Sequence, residues 1–202
     1  MLNKVRDCFQ QKIADHGATP EGVYWNSVEA QEIRFSQIIK VCDLTKPFSI
    51  IDYGCGYGAL VDYLDRLNCR FQFTGFDIAP EMIAKAEQLH GKRTDCFFLY
   101  NDDVLEQADY LVQSGIFNLK LDVSTEVWMK HVLCTLERMN SLGKKGFSFN
   151  MLTKYSDPDR MRSDLFYADP CFFFDYCKRN FSRNVALLHD YELYDFTILV
   201  RK

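Results

Sequence analysis

The chain has 202 residues, slightly above the roughly 50–200 that one hydrophobic core usually serves, so a single folding unit is the expectation. Hydrophobic residues make up 48% and charged residues 26% of the chain, which excludes a long disordered tail. With a net charge of −4 and a pI near 5.6 there is no basic stripe to neutralise a run of phosphates, so a small molecule is a better partner than nucleic acid.

The opening stretch 1–16 is amphipathic and broken by charges, unlike a signal-peptide core, and no apolar run approaches the ~20 residues that span a bilayer. A cytoplasmic, membrane-free protein follows as an expectation. A turn-rich segment, 17–22, leads to Tyr24-Trp25 and a predicted helix from about Ser27 to Cys42, with Asn26 and Glu29 spaced as a capping box. Residues 47–52 read as a short apolar strand. After a glycine-rich turn, Leu60, Val61, Leu64 and Leu67 recur at helical spacing. Strand 71–76 and helix 80–89, with Pro80 in its first turn, come next, then short strands at 96–100 and 110–113. Trp128, Val132, Leu136, Met139 and Leu142 place a long helix over 125–142, before a strand at 146–152. Asp169-Pro170 opens an aromatic helix over 171–181 by the N-cap plus proline rule, and two strands near 185–188 and 194–200 close the chain.

Strands alternating with helices predict a mostly parallel sheet covered on both faces. Only residues 189–193 join the last two strands, too few for a parallel crossover, so that pair is expected to be antiparallel. The eight cysteines show no C-x-x-C spacing and read as reduced thiols packed as small hydrophobes, so no metal is expected.

The turn Asp52-Tyr53-Gly54-Cys55-Gly56-Tyr57-Gly58 lies between a strand and a helix, where missing Cβ atoms let backbone bend sharply and approach a ligand. Asp77, nineteen positions after Gly58 at the end of the next strand, is placed to accept hydrogen bonds from the two hydroxyls of a ribose. Glycine spacing alone also satisfies a relaxed dinucleotide fingerprint. Residues 51–58 resemble the first motif of class I S-adenosylmethionine (SAM) dependent methyltransferases, whose leading acid, here Asp52, supports the cofactor's aminoacyl end. Asp77 resembles the family's ribose-binding acid, and Asn101-Asp102-Asp103-Val104 its adenine-binding stretch. The resemblance implies a Rossmann-like three-layer sandwich with a seven-stranded, mostly parallel sheet and an antiparallel C-terminal hairpin. It also implies SAM as cofactor and S-adenosylhomocysteine (SAH) as product. The chain then divides into a helical cap (1–45), a cofactor-binding half (46–150) and an acceptor-binding half (151–202). The cofactor set comprises Asp52, Gly54, Cys55, Gly56, Gly58, Asp77, Ile78, Asp102, Asp103, Val104 and Ser114, joined by Trp25 and Arg34 from the segment before the core. Arg34 either pairs with the methionyl carboxylate or faces solvent.

Ligands of open α/β sheets bind beyond the carboxyl ends of the strands, so strand exits are the place for acceptor chemistry. His189, with Asp190 beside it, is the candidate base for a hydroxyl acceptor, or else a strand-end pairing group. Asn118 and Asn150 either orient an acceptor or close loops, and Tyr155 belongs to the polar insert 154–169, a lid or an ordinary loop. Ser114-Gly115-Ile116-Phe117 stands where enzymes methylating nucleobase or glutamine amino groups carry asparagine-proline-proline-aromatic, which points away from those acceptors. The expected reaction is methyl transfer to an O or N atom of a small metabolite. The motifs do not separate this from cyclisation of SAM or aminopropyl transfer, whereas the intact motifs and the polar residues past three strands argue against the further alternative of a non-catalytic SAM-binding or partner-binding module.

Overall fold

A computed structural model describes residues 2–19, 21–23 and 27–202, without the side chains of Leu2 and Val23. The expected cofactor contact of Trp25 and the expected cap at Asn26 lie outside the described residues. Helix α1 (Leu2–His16) is followed by α2 (Val28–Ile38), whose N-cap is Ser27: its Oγ accepts the Ala30 N–H at 3.1 Å. A 3-10 turn over Ile39–Val41 carries α2 on to where the sequence ends it.

The remaining elements alternate. They are β1 (Phe48–Tyr53), α3 (Ala59–Arg66), β2 (Phe71–Phe76), α4 (Pro80–His90), β3 (Cys96–Leu99), β4 (Ala108–Ser114), α5 (Thr125–Leu142), β5 (Gly143–Leu152), α6 (Pro170–Asn180), β6 (Asn184–Leu188) and β7 (Asp195–Arg201). Asp169 caps α6 as its sequence predicts, accepting the Cys171 N–H at 3.0 Å. Strand β5 starts three residues earlier than its hydrophobic pattern suggests. Gly143 pairs with Ala108 across an irregular register, and the exposed Lys144 and Lys145 hide that extension from a reading of hydrophobicity.

The seven strands lie in the order β3-β2-β1-β4-β5-β7-β6. Those from β3 to β5 are parallel, while β7 runs antiparallel to both β5 and β6. One face packs α5 and α6 through Trp128, Leu136, Met139 and Phe173 against Phe147 and Phe149. On the other, Phe35, Ile38, Leu60, Leu64 and Ile83 bring in α2, α3 and α4. Burying a large aliphatic or aromatic side chain contributes ~1.5–3 kcal/mol, so both layers are held mainly by this apolar contact. The strand order reverses between β1 and β4, and in such sheets the crevice that takes a ligand opens at that reversal.

Candidate active site

Between β1 and α3 the chain turns through three glycines with positive φ: 92° at Gly54, 54° at Gly56 and 87° at Gly58. The N–H groups of Gly54 and Cys55 both donate to the Phe76 carbonyl, at 2.7 and 2.9 Å, locking the turn to the end of β2. A Cβ on Gly54 would sit 2.1 Å from Cγ2 of Ile116. Gly54→Ala therefore combines left-handed strain of ~1–3 kcal/mol with a collision against the loop after β4. Calorimetric titration of this variant is expected to show SAH affinity lowered at least ~10-fold, since ~1.4 kcal/mol is one decade.

Two carboxyl groups border this turn. Asp77 receives the Gly56 N–H on Oδ2 at 3.0 Å and the Ala79 N–H on Oδ1 at 2.9 Å. Its carboxyl is still pushed up to about 6, because burial outweighs those two donors. Asp52, at the end of β1, is buried, and among the described residues no donor reaches its carboxyl. Burial, with the negative charge of Asp77 second, pushes it up to about 8. The pair thus favours an arriving cation and hydroxyl donors. Burial also raises the Cys55 thiol well above its ordinary value, leaving it an unreactive wall.

These groups open onto a cavity of about 370 Å³. Ile78 and Met82 continue the wall beside Asp77, and Gln31, Arg34 and Phe35 of α2 face them. Arg34 is buried, with Nη2 donating to Asp195 Oδ2 at 2.6 Å and Nη1 to the Ala30 carbonyl at 2.9 Å. From the β4 exit come Ser114, Gly115, Ile116 and Asn118. Asn118 Oδ1 accepts the Leu152 N–H at 3.0 Å, tying two strand exits together at the cavity wall. Asn150 is fully buried behind that wall. Its Nδ2 donates to Ser114 Oγ at 3.0 Å and its Oδ1 accepts the Gly115 N–H at 2.8 Å, so it shapes the loop.

Other expected residues lie elsewhere. Asp102, Asp103 and Val104 form a 3-10 turn outside the cavity lining. There Asp102 accepts the Tyr53 hydroxyl at 2.6 Å and pairs with Arg138 at 3.6 Å. Val104 borders a separate shallow groove beside Tyr100 and Pro80. Gly58 faces His90 and Phe98 at the start of α3. His189, Asp190 and Tyr155 also stand off the lining, the His189 ring lying 6.0 Å from Tyr155 and 6.2 Å from Phe196. The cause is strand order. Strands are spaced ~4.8 Å, and β6 is three strands beyond β4, so its exit is roughly 14 Å away across the sheet.

Sequence reasoning overlooked His131 and Thr135 of α5, Val5 and Phe9 of α1, and Leu165 of the insert, all of which line the cavity together with Arg162 of that insert, the segment expected to be a lid or an ordinary loop. A signal for the first two existed: Trp128, His131 and Thr135 share one stripe of α5 at i, i+3 and i+7 spacing. The insert reaches the site because the Phe166 N–H donates to the Asn118 carbonyl at 2.8 Å and Leu165 bridges to Leu119.

A doubly wound sheet with a reversed last hairpin, a glycine turn and an acid after β2 defines the class I methyltransferase type of fold. Residues 51–145 match the family model described as a methyltransferase domain. A Mycobacterium tuberculosis protein that bears the name "Putative methyltransferase Rv1506c" is 49% identical over 164 residues, spanning 81% of this chain and 99% of that protein. Magnesium protoporphyrin IX methyltransferase (ChlM) from Synechocystis PCC 6803, solved with bound SAH, aligns at a TM-score of 0.70 and 16% identity over 100% of both chains. N-methyltransferase NodS from Bradyrhizobium japonicum WM9, also solved with SAH, gives 0.64 at 11% identity over 97% of each. The chain belongs to the methyltransferase family.

Proposed function

We propose that the protein binds SAM in this cavity and transfers its methyl group to an oxygen or nitrogen atom of a small metabolite, leaving SAH. The observation that carries the reading is the pair Asp52 and Asp77 against the glycine turn. Their raised carboxyls suit a cationic aminoacyl end and a ribose, and the turn lets backbone come close to both. The cofactor, when bound, supplies an electrophilic methyl group on a sulfonium. Asp77 takes the ribose hydroxyls, Asp52 faces the α-ammonium, Ile78 and Met82 offer apolar surface to the base, and Arg34 stands at the carboxylate end. A small acceptor agrees with the net charge of −4 and with the neighbour named for magnesium protoporphyrin IX. Alignment and exclusion of water provide much of the acceleration in such a displacement.

Binding is expected to release a proton. Both folded carboxyl values exceed the ordinary 3.8, so the unfolded chain gives up these protons first, and the free protein loses stability as the pH rises from about 4 to about 8. A bound ammonium favours the Asp52 carboxylate, so SAH affinity should rise with pH up to about 8 and level off above it. Calorimetry at pH 7 in phosphate and in Tris would give different heats; identical heats would contradict the linkage.

The test of the function is titration of SAM and SAH into the wild-type protein, followed by mass analysis for SAH and methylated product with a panel of hydroxyl and amine metabolites. Saturable binding and turnover are expected. A folded protein that binds neither nucleoside would overturn the reading.

A further inference from the structure

We propose that His131 accepts the proton of the methyl acceptor, and that this acceptor is a hydroxyl compound with an apolar body. The inference rests on the methyltransferase reading above and names the chemistry of its second substrate.

His131 enters the cavity from α5, with Thr135 one turn further on and Asn118 and Leu119 of the β4 exit loop on the same lining. Its position is fixed from behind. The ring lies 5.2 Å from that of Trp128, which is fully buried and donates its indole N–H to the Phe117 carbonyl at 2.8 Å. Thr135 Oγ1 donates to the His131 carbonyl at 2.9 Å, holding that turn of the helix. Among the described residues no hydrogen bond engages the imidazole itself, so a side chain on the cavity lining keeps both nitrogens uncommitted. Burial holds the ring below its ordinary 6.5, which keeps it neutral and able to take a proton near pH 7.

The other titratable groups around the cavity are occupied or unsuited. Asp52 and Asp77 belong to the glycine-turn wall. The Tyr53 and Tyr57 hydroxyls donate to Asp102 and to Gln31 Oε1 and are raised by burial, and the Cys55 thiol is raised as well. Arg34 and Arg162 carry guanidinium groups, donors only, paired with Asp195 and Asp164. Beyond the glycine-turn wall, the same cavity is lined by the apolar side chains of Val5, Phe9, Ile116, Leu119, Leu152 and Leu165. A protonated amine pays a large desolvation cost on such a surface, whereas a neutral hydroxyl on an apolar body does not. In the transfer, the hydroxyl proton passes to the imidazole and the oxygen's electron pair forms the O–CH3 bond. The S–CH3 bond breaks with its electron pair on sulfur, leaving a neutral thioether, and the imidazolium returns its proton to solvent.

The test compares wild type with His131→Gln and His131→Asn, both checked by thermal unfolding and SAH titration, against phenols, aliphatic alcohols and amines. With phenol as acceptor, kcat is expected to fall ~100- to 10,000-fold in the variants while SAH affinity stays within about twofold. With 4-nitrophenol, already ionised at mildly alkaline pH, the loss should be below about tenfold. In histidine NMR, the resonance absent from His131→Gln should titrate below 6.5 and shift when 4-nitrophenol is added to the SAH complex. Equal losses with both phenols, an unmoved resonance, or turnover of amines alone by a wild type that binds SAH would each overturn the proposal. So would the absence of turnover with every hydroxyl compound. Failure of the wild type to bind SAH would instead strike the cofactor reading, and this inference with it.

Discussion

Replacing Asp77 with alanine is expected to weaken SAH binding at least ~100-fold without unfolding the protein. In the proposed complex the carboxylate would accept hydrogen bonds from both ribose hydroxyls, and bonds to charged groups contribute ~1.5–3 kcal/mol each, or ~3–6 kcal/mol together. At ~1.4 kcal/mol per decade this is two to four decades of affinity. The variant also frees the Gly56 N–H, which now donates to Asp77 Oδ2, so the glycine turn loses an anchor at the same time. Stability should move little, or rise at pH 8, because the buried carboxyl already carries a burial penalty that lifts it to about 6. Calorimetric titration of SAH together with thermal unfolding checks both halves. Affinity within threefold of the wild type would remove Asp77 from the site.

Arg34→Ala is expected to cost ~3–5 kcal/mol of stability, because it leaves the fully buried Asp195 carboxylate without its partner. The bond joins positions 161 residues apart and fastens α2 to the start of β7. A buried ion pair is a weak source of net stability but a costly one to break singly, so the double variant Arg34→Met with Asp195→Leu should recover most of the loss. Urea unfolding of Arg34→Ala, and of Arg34→Met and Asp195→Leu singly and together, measures the loss and the cycle. A single-variant loss below ~1 kcal/mol would mean that the pair is solvated.

The fold was legible because each element announced itself locally. Apolar runs marked β1 and β2, the stripe from Trp128 to Leu142 marked α5, and Asp169-Pro170 marked the start of α6. Even the reversed hairpin followed from the short link at 189–193. The glycine turn and Asp77 were equally readable, since spacing along one β-turn-α unit decides both. What the sequence concealed depends on layers and strand order. His131 lies among core-forming positions of α5, and only the folded chain, which brings Val5 and Phe9 of α1 to the same cavity, makes a cavity wall of it. His189 stood at a strand exit as expected, but nothing along the chain indicated that β7 would enter between β5 and β6 and carry that exit away from the cleft. Arg34 was named for its reach toward a cofactor; its partner Asp195 comes from an element whose neighbours only the folded sheet reveals.

That same insertion of β7 sets the order in which the molecule is born. A nascent chain that has not yet released Asp195 already owns the glycine turn and both carboxylates, but β5 still presents an unpaired backbone edge and β6 has no strand to join. At ~5–20 residues per second, the interval from β5 to β7 lasts a few seconds, during which an open edge is a target for mispairing with other chains. Until β7 closes the gap, Arg34 on α2 also lacks its buried counter-charge. Every residue that lines the cavity, the last of them Leu165, is thus made before the strand that closes the sheet, so the walls of the site precede the protection of its edge.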